Sequence, residues 1–237
     1  MGGERTKGAS AMAETFSVRA VAKMRSDFPE KFGVPRQSGL VPALRGAVVF
    51  EPAYRSADAV RGLEEFSHIW LVWVFDRALR EGFSPTVRPP RLGGNERKGV
   101  FATRSPFRPN AIAISCVELE KIDYEAEDGP VLIVRGADLA DGTPILDVKP
   151  YLPYADAKPQ ATGGFASEAE APKRVEIAPE LLEKIPDDRR EALLGVLAQD
   201  PRPRYQDDPA RTYGFSFAGR EVRFRVRGEV VTVTEIE

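Results

Sequence analysis

Through the first two-thirds of the chain, apolar and polar residues alternate with the two-residue period of β-strands. The alternation runs through ETFSVRAVAKM (residues 14–24) and LRGAVVFEP (44–52), and again at Val100–Thr103, Ile112–Ile122, Val131–Arg135 and Ile145–Val148. SHIWLVWVF (67–75) is apolar on both faces, which predicts a central strand covered on each side. A helical period shows once in this region, in SADAVRGLEEF (56–66), where Ser56 is a candidate cap and Ala59, Val60, Leu63 and Phe66 share a face. The acidic DYEAEDG (123–129) reads as a solvated hairpin loop. Many strands, turn signals between them and one short helix predict a mainly β fold built on a single-sheet barrel, closed or nearly so.

From Tyr151 the texture changes. YLPYADAKPQATGGFASEAEAPKR (151–174) is rich in Pro, Ala and Gly and has no sustained period, as expected of a linker or wrapping arm. APELLEKIPDDRREALLGVLAQD (178–200) predicts two helices broken at Pro186. Leu193, Leu194 and Leu197 share a face of the second, and Asp187 and Asp188 suit its N-terminus. The final segment, 211–237, predicts three short alternating strands that turn at Ala218-Gly219 and Arg227-Gly228. The expected organisation is a disordered tail (1–14), a barrel (15–155), a linker (156–174) and a small α+β C-terminal domain (175–237). That last domain is too small to stand alone and should pack on the barrel or on a partner subunit.

At 237 residues and 42% hydrophobic composition the chain can bury a substantial core. Charged residues make up 30% and nearly cancel, at a net −2, so any nucleic-acid contact has to be local. The longest apolar run, Ile69–Phe75, is far short of the roughly 18 residues that span a bilayer. The N-terminus lacks the apolar core of a secretory signal, so no membrane partner is expected. With one Cys and one His, the chain can form neither an internal disulfide nor a Cys/His zinc cluster, which fits a reducing cytoplasm and no metal. Cys116 reads as a small buried hydrophobe. His68, beside Trp70, reads as a hydrogen-bonded structural histidine; a Ser-His-Asp site would need it and has no nucleophile elbow to accompany it.

A local charge does exist. Between Arg88 and Arg108 five arginines and Lys98 face a single acid, Glu96, for a local net of +5. A solvated loop face would explain a charge run, but here the arginines are interleaved with residues that stiffen or bend the backbone, as in RPPRLGGNERKG (88–99). Arginine also outnumbers lysine, and its planar fork suits a carboxylate or phosphate. RSPFRPN (104–110) is expected to join two strands at the rim of a rigid scaffold, where binding sites tend to lie. These features predict an anion-recognition site. Two further loops carry polar turns, KFGVPRQSGLV (31–41) and DLADGTP (138–144). Neither a G-x-G-x-x-G after a strand nor a P-loop is present, so a nucleotide-like ligand would not be held in a Rossmann manner.

FGVPRQSGL, AVRGLEEFSHIWLVWVF, RPPRLGGNERKGVFATRSPFRPN, DGTPILDVKPYLPYAD and AQDPRPRYQ, taken in order, resemble the blocks of the TsaA-like family, the tRNA threonylcarbamoyladenosine methyltransferases called TrmO. The resemblance runs from about residue 15 to the C-terminus. It implies a β-barrel methyltransferase that uses S-adenosyl-L-methionine, works as a homodimer and carries a small C-terminal domain that helps hold tRNA by its anticodon stem-loop. The implied product is a methyl group on the exocyclic N6 of threonylcarbamoyladenosine at position 37 of the tRNA. The cofactor-binding positions implied by motif are Pro35, Arg36 and Gln37, then Asp76 and Arg77, then Arg104, Ile114, and Asp141, Gly142, Thr143 and Pro144. Asp76 and Arg77 stand where relatives tend to carry His-Gln, and Ala111 and Ala113 depart from the usual RPNPIG.

Methyl transfer from a sulfonium requires alignment of donor and acceptor and neither a metal nor a covalent intermediate. On the substrate side the candidates are Arg91, Arg108 and Asn110 in the basic loop, with Asp200, Arg202 and Tyr205 in AQDPRPRYQ for RNA contact. Arg108 or Arg91 is expected to face the threonyl carboxylate. For the proton of N6, Asp76, Asp141 and the substrate carboxylate are all candidates. Arg223, Arg225 and Arg227 fall on one strand face and read equally as an RNA contact or an ordinary solvent face. Two rival functions stay open: a non-catalytic RNA-binding barrel with a vestigial cofactor pocket, and a methyltransferase of similar fold acting on a small molecule.

Overall fold

The computed structural model describes residues 14–79, 82–203, 206 and 208–237. The expected tail up to residue 13 lies outside them, as do Arg204 and Tyr205. In chain order the first part comprises β1 (Ala22–Ser26), β2 (Arg45–Phe50), α1 (Ala57–Val60), β3 (His68–Val74), β4 (Thr86–Val87), β5 (Lys98–Gly99), β6 (Ile112–Asp123), β7 (Val131–Arg135), β8 (Pro144–Pro150) and α2 (Pro153–Asp156). Six of these strands close into an antiparallel barrel in the order β1-β2-β7-β6-β3-β8. The seam is short, with Ala22 opposite Ile145 and Lys23 opposite Pro144. As the apolar run predicts, β3 is paired on both sides, to β6 and β8. Alternate residues point inward, and Met24, Val48, Ile69, Leu71, Val117, Leu132 and Ile145 fill the barrel.

Three local expectations are corrected. The first strand begins at Ala22, not at residue 14: Val21 makes the last bonds to neighbouring strands, and Phe16 and Val18 lie exposed. The helix from Ser56 is a single turn, because Gly62 takes the left-handed conformation (φ +85°) and Ser56 makes no capping bond. Val100–Thr103 is no strand but opens in a 3-10 turn at Val100–Ala102. Its antiparallel neighbour β4 places Thr86 opposite Gly99, so the next partner is Pro85, which accepts from Val100 N–H at 2.9 Å but has no N–H to return.

The rest of the chain forms β9 (Arg174–Glu176), α3 (Pro179–Leu182), α4 (Asp187–Ala198), β10 (Tyr213–Phe217), β11 (Arg220–Arg227) and β12 (Val230–Ile236). The break at Pro186 and the three final strands stand where the pattern places them. β9, hidden in the Pro-Ala-Gly stretch, pairs in parallel with β12 and completes a four-stranded sheet ordered β10-β11-β12-β9. Val222, Phe224 and Val226 are buried, and Arg223, Arg225 and Arg227 form the solvent face.

The second core is not confined to the C-terminal segment. Phe28, Val41 and Leu44, from the loop between β1 and β2, are buried in it with Leu193, Leu197, Phe217 and Phe224. The rings of Phe28 and Phe217 lie 5.3 Å apart, and Asp27 pairs with Arg189 of α4 at 2.8 Å. Gly33 (φ +96°) lies so close to Phe215 that a Cβ there would stand 2.5 Å from its Cδ2. Each fully buried side chain of this size contributes about 1.5–3 kcal/mol. Loop 27–44 is therefore covalently part of the barrel and energetically part of the C-terminal core.

Candidate cofactor and RNA site

Antiparallel closure alternates the ends at which loops emerge. Loops 27–44, 75–111 and 136–143 consequently share one end of the barrel, and they contain every candidate cofactor position except Ile114 and Pro144, which lie just inside β6 and β8. Loops 27–44 and 136–143 are laced together. Asp141 N–H donates to the carbonyl of Phe28 and Gly142 N–H to that of Met24, both at 2.8 Å, and Asp141 Oδ1 accepts from Ser26 N–H at 3.1 Å. Gly39 N–H donates to Gly136 O at 2.8 Å, and a Cβ on Gly136 (φ +71°) would stand 3.3 Å from Gly39 Cα, so only glycine allows the loops this close.

Arg77 ties the same two loops from the third. Its guanidinium donates to Pro29 O at 2.7 Å and to Asp141 O at 2.6 Å. At this departure from His-Gln the new side chain thus binds loop to loop, while Asp76 beside it is exposed. Arg104 donates to Gln37 Oε1, and Gln37 Nε2 to the carbonyl of Arg36, so RSPFRPN and VPRQ meet. Pro35 and Thr143 are buried, whereas Ile114 is half exposed on the outer face of β6, near the equally open Ile112.

Arg36 is turned the other way. It donates to the backbone carbonyls of Arg202 (3.0 Å) and Asp200 (3.5 Å), so it reaches from VPRQ into the AQDPRPRYQ segment. Partial burial lowers its guanidinium from the ordinary value, and the Asp200 carboxylate opposes that. Asp200 adopts φ +49°, and its carboxylate accepts from Arg202 Nε at 3.0 and 3.1 Å. The Arg202 side chain is only 11% exposed, so it faces the protein. The structure therefore brings Asp200 and Arg202 to the cofactor end of the barrel, as partners of Arg36. Arg108 donates to Thr103 O at 3.0 Å, which braces its loop, and Arg91 and Asn110 are exposed. Among the described residues no group of three His, Cys, Asp or Glu side chains is placed to hold a metal. Among the described residues no helix is long and apolar enough to cross a membrane.

Residues 23–157 match the family model described as the tRNA-methyltransferase O N-terminal domain, and residues 168–237 match the TrmO C-terminal domain. The chain belongs to the tRNA-methyltransferase O family. The tRNA (adenine(37)-N6)-methyltransferase of Escherichia coli strain K12 is 44% identical over 221 residues, covering 90% of this chain and 94% of the relative. A putative S-adenosylmethionine-dependent methyltransferase, RcsF, of Pseudomonas aeruginosa PAO1 is 42% identical over 231 residues, covering 94% and 98%. A crystal structure of TrmO from P. aeruginosa superposes with a TM-score of 0.76 at 37% identity, covering 94% of this chain and 98% of that one.

In this member of the TrmO family the chemistry of the donor set fits an S-adenosylmethionine-like ligand. Arginine and amide donors (Arg104, Gln37) suit a carboxylate, Asp141 suits an ammonium or a ribose diol, and Ile114, open on the outer face of β6, offers an apolar surface for a purine. Sequence reasoning missed two elements. One is Asp138, beneath the loops; its only trace is Ser115, a polar residue at an inward position of an alternating strand. The other is Phe83 and Phe101, exposed and stacked at 6.4 Å within the basic loop, where isolated phenylalanines carry no distinguishing pattern.

Proposed function

We propose that this chain transfers a methyl group from S-adenosyl-L-methionine to the exocyclic N6 of threonylcarbamoyladenosine at position 37 of tRNA. The observation that carries the reading is convergence: the three polar loops and the AQDPRPRYQ segment of the C-terminal domain meet at one end of the barrel, joined through Arg36. A donor pocket and an RNA-holding element are thereby adjacent. The names of the relatives support tRNA and the methyl donor.

S-Adenosyl-L-methionine, when bound, supplies an electrophilic methyl group for in-line displacement. Pro35, Gln37, Arg104, Ile114 and the Asp141–Pro144 turn hold the donor. Arg77 keeps two of the loops in register, and Arg36 holds VPRQ against the RNA-binding segment. On the substrate side Arg108, with Arg91 across the same loop, faces the threonyl carboxylate. Phe83 and Phe101 offer ring faces to unpaired bases, Asn110 and Tyr205 contact the anticodon stem-loop, and Asp200 and Arg202, paired with each other, hold the RNA-binding segment in shape. Asp76 and Asp141, two exposed residues at this rim, are the carboxylates able to take the N6 proton. The enzyme works as a homodimer, as its family resemblance implies, in the reducing cytoplasm that a single cysteine fits, and methyl transfer requires no metal.

The test is label transfer from methyl-labelled S-adenosyl-L-methionine to two tRNA pools, with and without the threonylcarbamoyl group. Label confined to the modified pool is expected. Equal label in both would refute the carboxylate reading, and label in neither would favour the RNA-binding barrel.

A further inference from the structure

A single carboxylate joins two of the cofactor segments. Asp138, partly buried, accepts a hydrogen bond at 2.5 Å from Ser115 Oγ, which is 1% exposed and adjoins Ile114 on β6. The backbone of Ser38, next to Gln37, and the charge of Arg104 also favour its ionised form. Asp138 itself begins the turn that carries Asp141, three residues on. The direction of this network is fixed from below. Trp73 Nε1–H, which can only donate, bonds Ser115 Oγ at 2.9 Å. The serine must therefore pass its own hydrogen on to the carboxylate, an acceptor without a competing donor when ionised.

We infer that Asp138 is a positioning residue of the cofactor site, a clamp that sets β6 and the DGTP turn at the spacing the methyl donor requires. This rests on the methyl-donor reading above. The hydroxyl it holds lies 23 residues away in sequence, and each end adjoins a candidate donor residue: Ser115 is next to Ile114, and Asp138 begins the turn that carries Asp141. Burial pushes the carboxyl up from its ordinary value while Ser115, its own backbone, Arg104 and the backbone of Ser38 pull it down, so the clamp is held against a desolvation cost. An interior carboxylate kept at such a cost is better explained by the geometry it imposes than by stability.

Asp138→Asn separates these roles. The carboxamide keeps the shape and its oxygen can still accept from Ser115, but the bond is no longer charge-assisted. Calorimetric titration of the full-length chain with S-adenosyl-L-methionine and steady-state kinetics on threonylcarbamoylated tRNA are the measurements. Loss of one charge-assisted bond predicts a rise of about tenfold or more in Kd and in KM for the donor. The KM for tRNA should hold, and the urea midpoint at neutral pH should not fall. Ser115→Ala, which removes the other arm, should raise donor Kd in the same direction and tests the clamp even if the asparagine variant does not fold. Donor affinity unchanged in either folded variant overturns the clamp alone. So does a fall in the urea midpoint with unchanged Kd, which would mark a purely structural network. No donor binding by the wild type overturns the cofactor reading, and the clamp with it.

Discussion

Loop 27–44 belongs to the barrel by sequence and to the second core by packing, and a pair of glycine substitutions measures how firmly. Gly33 and Gly39 both adopt positive φ, +96° and +78°. An added Cβ at Gly39 meets nothing within 4 Å, whereas at Gly33 it would meet Phe215 Cδ2 at 2.5 Å and Cγ at 2.9 Å. Gly39→Ala therefore carries only the left-handed backbone penalty, about 1–2 kcal/mol. Gly33→Ala carries the same penalty plus a steric cost of about 1–3 kcal/mol, because Phe215 is 3% exposed and cannot swing away. The difference between the two variants isolates the seating of the loop on the core. Urea unfolding with tryptophan and circular dichroism read together should place Gly33→Ala below Gly39→Ala by that amount, and donor affinity should fall with it. Equal midpoints would refute the packing argument.

Other outcomes follow from the same contacts. Deleting residues 168–237 should abolish donor binding as well as RNA binding, since Phe28, Val41 and Leu44 lose their core; a monodisperse truncation that binds S-adenosyl-L-methionine normally would contradict this. Arg36→Met should cost about 1 kcal/mol or more and hasten limited proteolysis near residues 198–206, which protease mapping would show. Phe101→Ala, at a 71% exposed site, should leave stability within about 0.5 kcal/mol of wild type yet weaken tRNA binding about tenfold, by loss of one stacking face. The raised Asp138 carboxyl sets a pH dependence of stability: its contribution is full below the ordinary value of about 4 and is lost as pH rises through the raised one. Urea midpoints of wild type and Asp138→Asn should thus shift in the variant's favour across that window; parallel curves would contradict the assignment.

The barrel was legible in the sequence because strand alternation is local: Val131–Arg135 reads directly from its period, and β6 overruns its expected end by one residue. The buried 222, 224 and 226 face of β11 was legible for the same reason, and its arginines turn to solvent, Arg223 pairing with Glu235 at 3.4 Å. Where elements depend on a partner, the pattern misled. Val100–Thr103 alternates but finds no strand to pair with, and Arg-Val-Glu at 174–176 becomes β9 only because β12 lies beside it. At the candidate site, residue types were readable but not their direction. Arg36 is a cofactor candidate and Arg202 an RNA-contact candidate, and the fold shows where each points: Arg36 donates to the carbonyls of Asp200 and Arg202, and Arg202 to the Asp200 carboxylate. Asp138 and Asp141 are equivalent in sequence, and only the fold distinguishes the buried one under Ser115 from the one at the rim. Loop 27–44 shows why: its apolar residues carry no sign of which core they enter.

The most direct test of the proposed reaction locates the methyl group. Threonylcarbamoylated tRNA is incubated with the purified chain and isotopically labelled S-adenosyl-L-methionine, digested to nucleosides and read by mass spectrometry. The account predicts the label in a single nucleoside, threonylcarbamoyladenosine heavier by one labelled methyl on N6, arising from position 37. Label on any other nucleoside, or on the threonyl carboxylate as an ester, would contradict it.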